Sequence, residues 1–211
     1  MAADHSFGVP TQAFAQAMAG ADGVERRPTP AAAFERARET IRSGARLDMA
    51  ALAADMGISR PTLYRWTGDR ERLLADVSWA ELEVLLRYFD RRTKAVGVEH
   101  IERLAGGFLG GLANNEALRA FLSNEGDRGL RLMTAPNGGI RPRLVAAVRD
   151  IIEREQIAHG YQPPAEPQLL ADGIVALGER WLYHGGDPAM NPDPATARLV
   201  IGLLLREPCL A

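Results

Sequence analysis

Between residues 29 and 72, helix-starting and helix-ending residues follow one another so closely that only short helices fit. Thr29-Pro30 supplies an N-cap and a proline at the first helical position. Phe34, Ala37 and Ile41 then recur at helical spacing, and Gly44 closes that helix. Asp48 caps a second helix, with Leu52 and Met56 on its buried face and Gly57 at its end. Ser59 caps a third, where Pro61 is tolerated because it falls in the first turn. Gly68-Asp69 breaks that helix. Asp69 caps a long fourth one, whose buried stripe is expected to include Leu73, Val77, Ala80, Val84 and Tyr88.

The rest also reads as helix, near 98–113, 116–134, 140–160, 166–184 and 194–206, with breaks at Gly97, Asn114-Asn115, the 136–139 turn, Pro163-Pro164 and 187–194. No period-2 pattern is sustained, so the chain is expected to be all-α with nine helices. A short further helix over 11–19 is compatible with Phe14 and Met18, but residues 1–28 read mainly as a flexible extension. The expected organisation is this extension, a three-helix head over 29–75 and a helical body over 76–211. From Arg26 to Arg72 ten arginines face six acidic residues, a net of +4, whereas the whole chain is at −2. A basic head on an acidic body suits a protein that offers one face to phosphates, although such a segment also arises by ordinary scatter. Cys209 is the single cysteine, which excludes a disulfide within the chain and points to a reducing, cytoplasmic compartment. No apolar run is long enough for a membrane span. The N-terminal stretch has Asp4 and no basic start before an apolar run, so no secretory leader is expected.

The chemistry sits in the run from Leu52 to Trp66. Ala53 is small where two helices approach. Gly57 can take the left-handed conformation of a tight interhelical turn, and Ile58 plugs that turn into the core. The following helix opens with Arg60-Pro61-Thr62, and its exposed face suits a major groove entered N-terminus first. The run resembles the DNA-binding signature of the TetR family of bacterial transcriptional regulators: an apolar-Ala pair, Gly-apolar-Ser, a variable pair, Thr-Leu-Tyr, then an aromatic. Asp69-Arg70-Glu71-Arg72-Leu73-Leu74 is similar to the family's turn into its fourth helix, with Arg70 where the family usually has lysine. Thr67 replaces a large apolar residue, and Trp66 is expected to supply the missing bulk. The resemblance in motif covers about residues 31 to 80.

It implies a fold with a helix-turn-helix head and a C-terminal helical domain that binds a ligand and dimerises. Ser59, Thr62 and Tyr64 are expected to contact phosphate or sugar. Arg60 and Arg65 are expected to read guanine from the groove, beside Pro61. Arg42, Arg46 and Arg70 are candidates for the DNA backbone. Candidate cavity residues are Trp79, Phe89, Phe108, Leu112, Phe121, Leu122, Trp181 and Tyr183, each of which alone is more often plain core. The Gly106-Gly107 and Gly110-Gly111 pairs form a smooth helix face that suits either a closely packed helix or a ligand. The expected dimer face is Leu170, Ile174 and Leu177 with Val200, Ile201 and Leu204. The implied partners are a palindromic operator, a second copy of the chain and a small effector, with repression as the default. The head run also resembles that of QsdR-type regulators, which implies a lactone or fatty-acyl-like effector. A body that answers to a protein partner, or a multidrug-responsive efflux repressor, would share this head. The scattered His5, His100, His159 and His184 have no metal-ligand spacing, Cys209 has no local partner, and Asp172 and Glu179 are a common pattern on solvated helices. Neither enzymatic activity nor a cofactor is expected.

Overall fold

The computed structural model describes residues 10–20, 28–182 and 194–206, with Trp181 and Leu182 described through their backbone only. The described residues form eleven helices and no strand. In order these are α1 (Gln12–Met18), α2 (Pro30–Arg42), α3 (Met49–Asp55), α4 (Arg60–Thr67), α5 (Arg70–Arg92), α6 (Val98–Ala113), α7 (Glu116–Glu125), α8 (Asp127–Thr134), α9 (Arg141–His159), α10 (Pro167–Leu182) and α11 (Pro194–Leu204). They divide into two compact units: residues 1–81 with 116–140, and residues 82–115 with 141–211.

In the first unit the expected caps form. Thr29 accepts the Ala32 N–H at 3.1 Å, and Asp48 accepts those of Ala50 and Ala51 at 2.7 and 2.9 Å. Gly44 and Gly57 take φ of +75° and +64°. At the end of α3 the Gly57 N–H bonds to the Ala54 carbonyl and the Ile58 N–H to that of Ala53, both at 3.0 Å. This double closure satisfies the carbonyls that a helix end leaves open. Helices of seven and eight residues are not stable alone; they hold here because Phe34, Leu63 and Leu73 are fully buried, each contributing about 1.5–3 kcal/mol.

Part of the expected flexible extension is folded. In α1, Ala13 is fully buried and Phe14 meets Phe34 edge-on with ring centroids 5.8 Å apart. The Thr11 hydroxyl donates to buried Asp76 at 2.5 Å. The segment expected as one helix over 116–134 is two. Gly126 takes φ +53° and divides α7 from α8. Asn124 Nδ2 donates to the Gly44 carbonyl at 2.7 Å, tying α7 to the end of α2.

In the second unit, α6 is the central element. Its glycine pairs serve two faces. An added Cβ at Gly107 would overlap the Phe89 ring, and one at Gly111 would come within 3.0 Å of that ring and 3.2 Å of Leu85. Gly106 and Gly110 lie against Arg198 and Pro194 of α11. Close packing thus occupies both. The buried stripe of this part of α5 runs through Leu82 and Leu86, whereas Val84 and Tyr88, expected inside, are exposed. Residues 73–77 are buried on every side, so Val77 marks no one face; farther along, Leu85 and Phe89 pack against α6 and the spacing from Val77 points elsewhere. Below α6 lies a polar cluster. The His100 ring nitrogens contact Asp90 at 2.8 Å and the Ala95 carbonyl at 3.1 Å, Arg154 binds Asp90, and buried Glu155 accepts the Gly97 N–H at 2.8 Å. The Tyr161 hydroxyl donates to the Leu205 carbonyl at 2.7 Å, and burial pushes its pKa up to about 12.

The α5–α6 contact has no room for a methyl group. Gly107→Ala should lower stability by about 1–3 kcal/mol through overpacking, and adding Phe89→Leu should recover part of the loss. Chemical denaturation of the two variants checks both signs.

Candidate nucleic-acid interface

Helix α4 is positioned from its two ends. Ser59 Oγ accepts the Thr62 N–H at 3.3 Å and shares a 2.9 Å hydrogen bond with the Thr62 hydroxyl. Gly68 ends the helix at φ +70°. Leu63 and Thr67 are its fully buried positions. The Thr67 hydroxyl is satisfied by the Leu63 carbonyl at 3.0 Å, so a polar residue occupies the inward site at no cost in unpaired groups. Trp66, expected to supply bulk there, is only half-buried. The opposite face presents Arg60, Pro61, Tyr64 and Arg65, with Tyr64 46% exposed.

The arginines of this unit sort by what neutralises them. Arg36 pairs with Asp55 at 3.1 Å, Arg38 with Glu81, and Arg42 with Glu81 at 3.0 Å. Arg46, Arg60 and Arg65 are exposed, and among the described residues none of the three enters an ion pair. Arg60 and Arg46 still attract Asp48 and Glu125 at longer range, but all three guanidinium groups stay open to solvent, where they can attract phosphate.

Arg70 departs from its expected role. Its Nε donates to the Leu47 carbonyl at 2.8 Å, and its two terminal nitrogens donate to the Glu125 carboxylate at 2.8 and 2.5 Å. All three nitrogens are engaged inside the unit, so the side chain braces the head and is not presented to DNA. A lysine, with one point charge, could not make this fork. The hydrogen bond from Arg70 holds the Glu125 carboxyl below its usual range, and Glu125 in turn raises Arg70. Glu125 lies 55 residues from Arg70, and no local pattern announces the pairing.

Around this pair is a cavity of about 230 Å³ whose walls include Leu74, Phe121 and Leu132 with Arg128 and Arg131. Of the residues expected to line a cavity, Phe121 does so here, while Leu122 lies half-buried nearby on α7. Trp79 is buried in the same unit. In the other unit, Phe89 packs on Gly107 and Gly111, and Phe108 and Leu112 are buried on α6. The Trp181 side chain and Tyr183 lie outside the described residues, as do Cys209 and His184. Of three acidic residues that could serve a cationic ligand, Glu102 is buried but pairs with Arg206, Glu116 is exposed, and Asp172 is held by Arg141 at 2.8 Å.

The residues expected at a dimer face divide by burial. Leu170, Ile174 and Ile201 are buried within the protomer and are consumed by its core. Leu177 and Val200 are half-buried, and Leu204 is exposed. The apolar residues that do face outward are Leu169 on α10 and Leu199, Leu203 and Leu204 on α11. Leu204 lies against Gly173, so the two stripes adjoin. An almost continuous apolar run in α11 concealed which side is outward.

No helix among the described residues is long and apolar enough to cross a membrane, and no group of His, Cys, Asp and Glu among them could hold a metal ion. Residues 96–206 match the family described as tetracyclin repressor-like, C-terminal domain. Among solved structures the chain is similar to the transcriptional repressor QsdR of R. erythropolis, from the TetR family, with 28% sequence identity and a TM-score of 0.74. That likeness covers 82% of this chain and 92% of QsdR. In fold it is also similar to the TetR family repressor AlkX of Dietzia sp., implicated in biodegradation of n-alkanes, with 18% identity, a TM-score of 0.59, and 85% and 97% of the two chains covered. No curated protein sequence matches it.

The Arg70–Glu125 brace depends on an ionised carboxylate. Since its pKa is depressed by folding, its contribution is complete at neutral pH and lost as pH falls through the folded value, below the ordinary 4.5. Glu125→Gln should weaken the protein at neutral pH and make its stability less sensitive to acid, as read from denaturation midpoints between pH 7 and pH 3.

Proposed function

The chain belongs to the TetR family of transcriptional regulators, and from this we propose that it is a homodimeric repressor released from a palindromic operator by a small apolar or amphipathic effector. The observation that carries the DNA-binding part is the outward face of α4, where Arg60, Tyr64 and Arg65 stand on a helix capped at Ser59 and closed at Gly68. Arg60 and Arg65 supply bidentate donors for guanine, while Ser59, Thr62 and Tyr64 position the helix on sugar and phosphate. Arg46 adds a backbone contact from the loop before α3. Arg70 is removed from this set by its brace.

Dimerisation is assigned to the outer faces of α10 and α11. Leu169, Leu199, Leu203 and Leu204 are too many exposed leucines on adjoining stripes for a solvated surface. Gly173 and exposed Ala176 give the close approach that a partner helix needs. A two-fold axis there matches two half-sites about 34–36 Å apart or a little more. Helix α5 has residues in both compact units, which makes it the covalent route by which effector binding reaches the head. The likeness to QsdR supports repression as the sign, and the implied effector is lactone or fatty-acyl-like.

A salt series of binding to DNA from upstream of the chain's own gene tests the reading. Wild type should bind one site saturably and with a steep salt dependence. Arg60→Ala and Tyr64→Ala should each weaken it by about 1–3 kcal/mol. Weak binding everywhere, indifferent to both changes, would sink the assignment. The dimer face has its own check: Leu199→Glu with Leu203→Glu should give a folded monomer by light scattering, and an unchanged dimer would remove that face from the interface.

A further inference from the structure

The cavity beside the Arg70–Glu125 pair has the chemistry of an anion site with an apolar floor. Leu74, Phe121 and Leu132 supply the floor. Arg128 and Arg131 lie three residues apart on α8, so they share one face of that helix. Both line the cavity, both are exposed, and among the described residues neither enters an ion pair. Counting Arg70 and the two lining glutamates, Glu71 and Glu125, the wall carries one positive charge in excess. The volume of about 230 Å³ falls below the roughly 300–1,000 Å³ of pockets for drug-sized ligands, so the occupant is small.

We propose that this cavity binds a short-chain monocarboxylate and that the bound carboxylate loosens the head by competing with Glu125 for Arg70. The proposal rests on the regulator reading above and names a ligand class and a route for it. The hydrocarbon part covers Leu74, Phe121 and Leu132, and the carboxylate lies between Arg128 and Arg131. In that position it is close to Arg70, whose terminal nitrogens are held only by another carboxylate. The route onward is short. Arg70 Nε holds the Leu47 carbonyl, Leu47 precedes Asp48, and Asp48 is the N-cap of α3. A guanidinium drawn toward the ligand gives up the geometry that fixes the start of α3, which packs directly on α4. The ligand thus binds better to the loosened state than to the DNA-competent one, which is the differential affinity that coupling requires.

Titration calorimetry of the intact protein with sodium hexanoate, hexanamide and inorganic phosphate tests the site without DNA. Hexanoate should bind saturably. Hexanamide, which lacks the charge, and phosphate, which lacks the chain, should each bind at least tenfold more weakly. Arg128→Gln with Arg131→Gln changes exposed side chains that hold no ion pair, Arg128 acting on Glu125 only at longer range, so it should fold, as circular dichroism will report, and should lose at least tenfold in hexanoate affinity. Saturating hexanoate should weaken operator binding of wild type at least tenfold and that of the double variant much less. Equal binding of hexanamide, full affinity in the double variant, or no hexanoate binding by a protein that holds its operator would each overturn the proposal. Absence of operator binding with hexanoate bound as described would instead overturn the regulator reading and support the carboxylate site.

Discussion

A single guanidinium holds three separate stretches of the first unit together. Arg70 reaches back to the Leu47 carbonyl and across to Glu125 at the end of α7. The helices it steadies, α3 and α4, have seven and eight residues, too few to persist without tertiary support. Around it lie other polar joints: Asn124 donates to the Gly44 carbonyl beyond the end of α2, and the Thr11 hydroxyl donates to the Asp76 carboxylate further along α5. The head is small, and these directed contacts fix orientations that apolar burial, which has no direction, leaves free.

The second unit uses a different device. Its central helix has had side-chain volume removed on two faces, so that an aromatic ring from α5 and the flank of α11 come close to its backbone. One polar cluster gathers around His100 and Glu155, where each partner is charged or hydrogen-bonded, and Glu102 with Arg206 and Arg141 with Asp172 form separate pairs. The first unit thus adds bonds with direction to its apolar core, and the second adds a close fit around glycines. A surface that must keep fixed donors toward a ligand as regular as DNA benefits from the former.

Much of this was legible in the residues. Caps and breakers act over two or three residues, so Asp48, Ser59, Gly57 and Gly68 could be read directly and the helices they delimit lie where expected. The Gly-Ile-Ser turn and the Thr-Leu-Tyr run carried the family resemblance for the same reason. What stayed hidden depends on distance or on register. Arg70 looked like a surface cation because its carboxylate partner is remote in sequence. Val84 and Tyr88 fit an apolar stripe by spacing from Val77, but Val77 lies where the helix is buried all round and so does not tell which face stays inside farther along. In α11, with apolar residues on nearly every side, periodicity could not tell Ile201, which is core, from Leu203, which faces out. Gly126 ends a helix by adopting a left-handed φ, and as a glycine within a helical pattern it gave no sign of doing so.

In the function proposed above, the brevity of α4 limits how much sequence information one protomer can extract. Eight residues at 1.5 Å each span about 12 Å. At 3.4 Å per base pair that covers some three to four base pairs, and a motif of this length recurs by chance throughout any genome. Discrimination at about 1–3 kcal/mol per mismatch then has to be compounded over two half-sites read at once. Small angular errors between the two reading helices would forfeit one of them, so the selectivity of such a protein is a property of how rigidly its short helix is mounted more than of how tightly any one side chain binds.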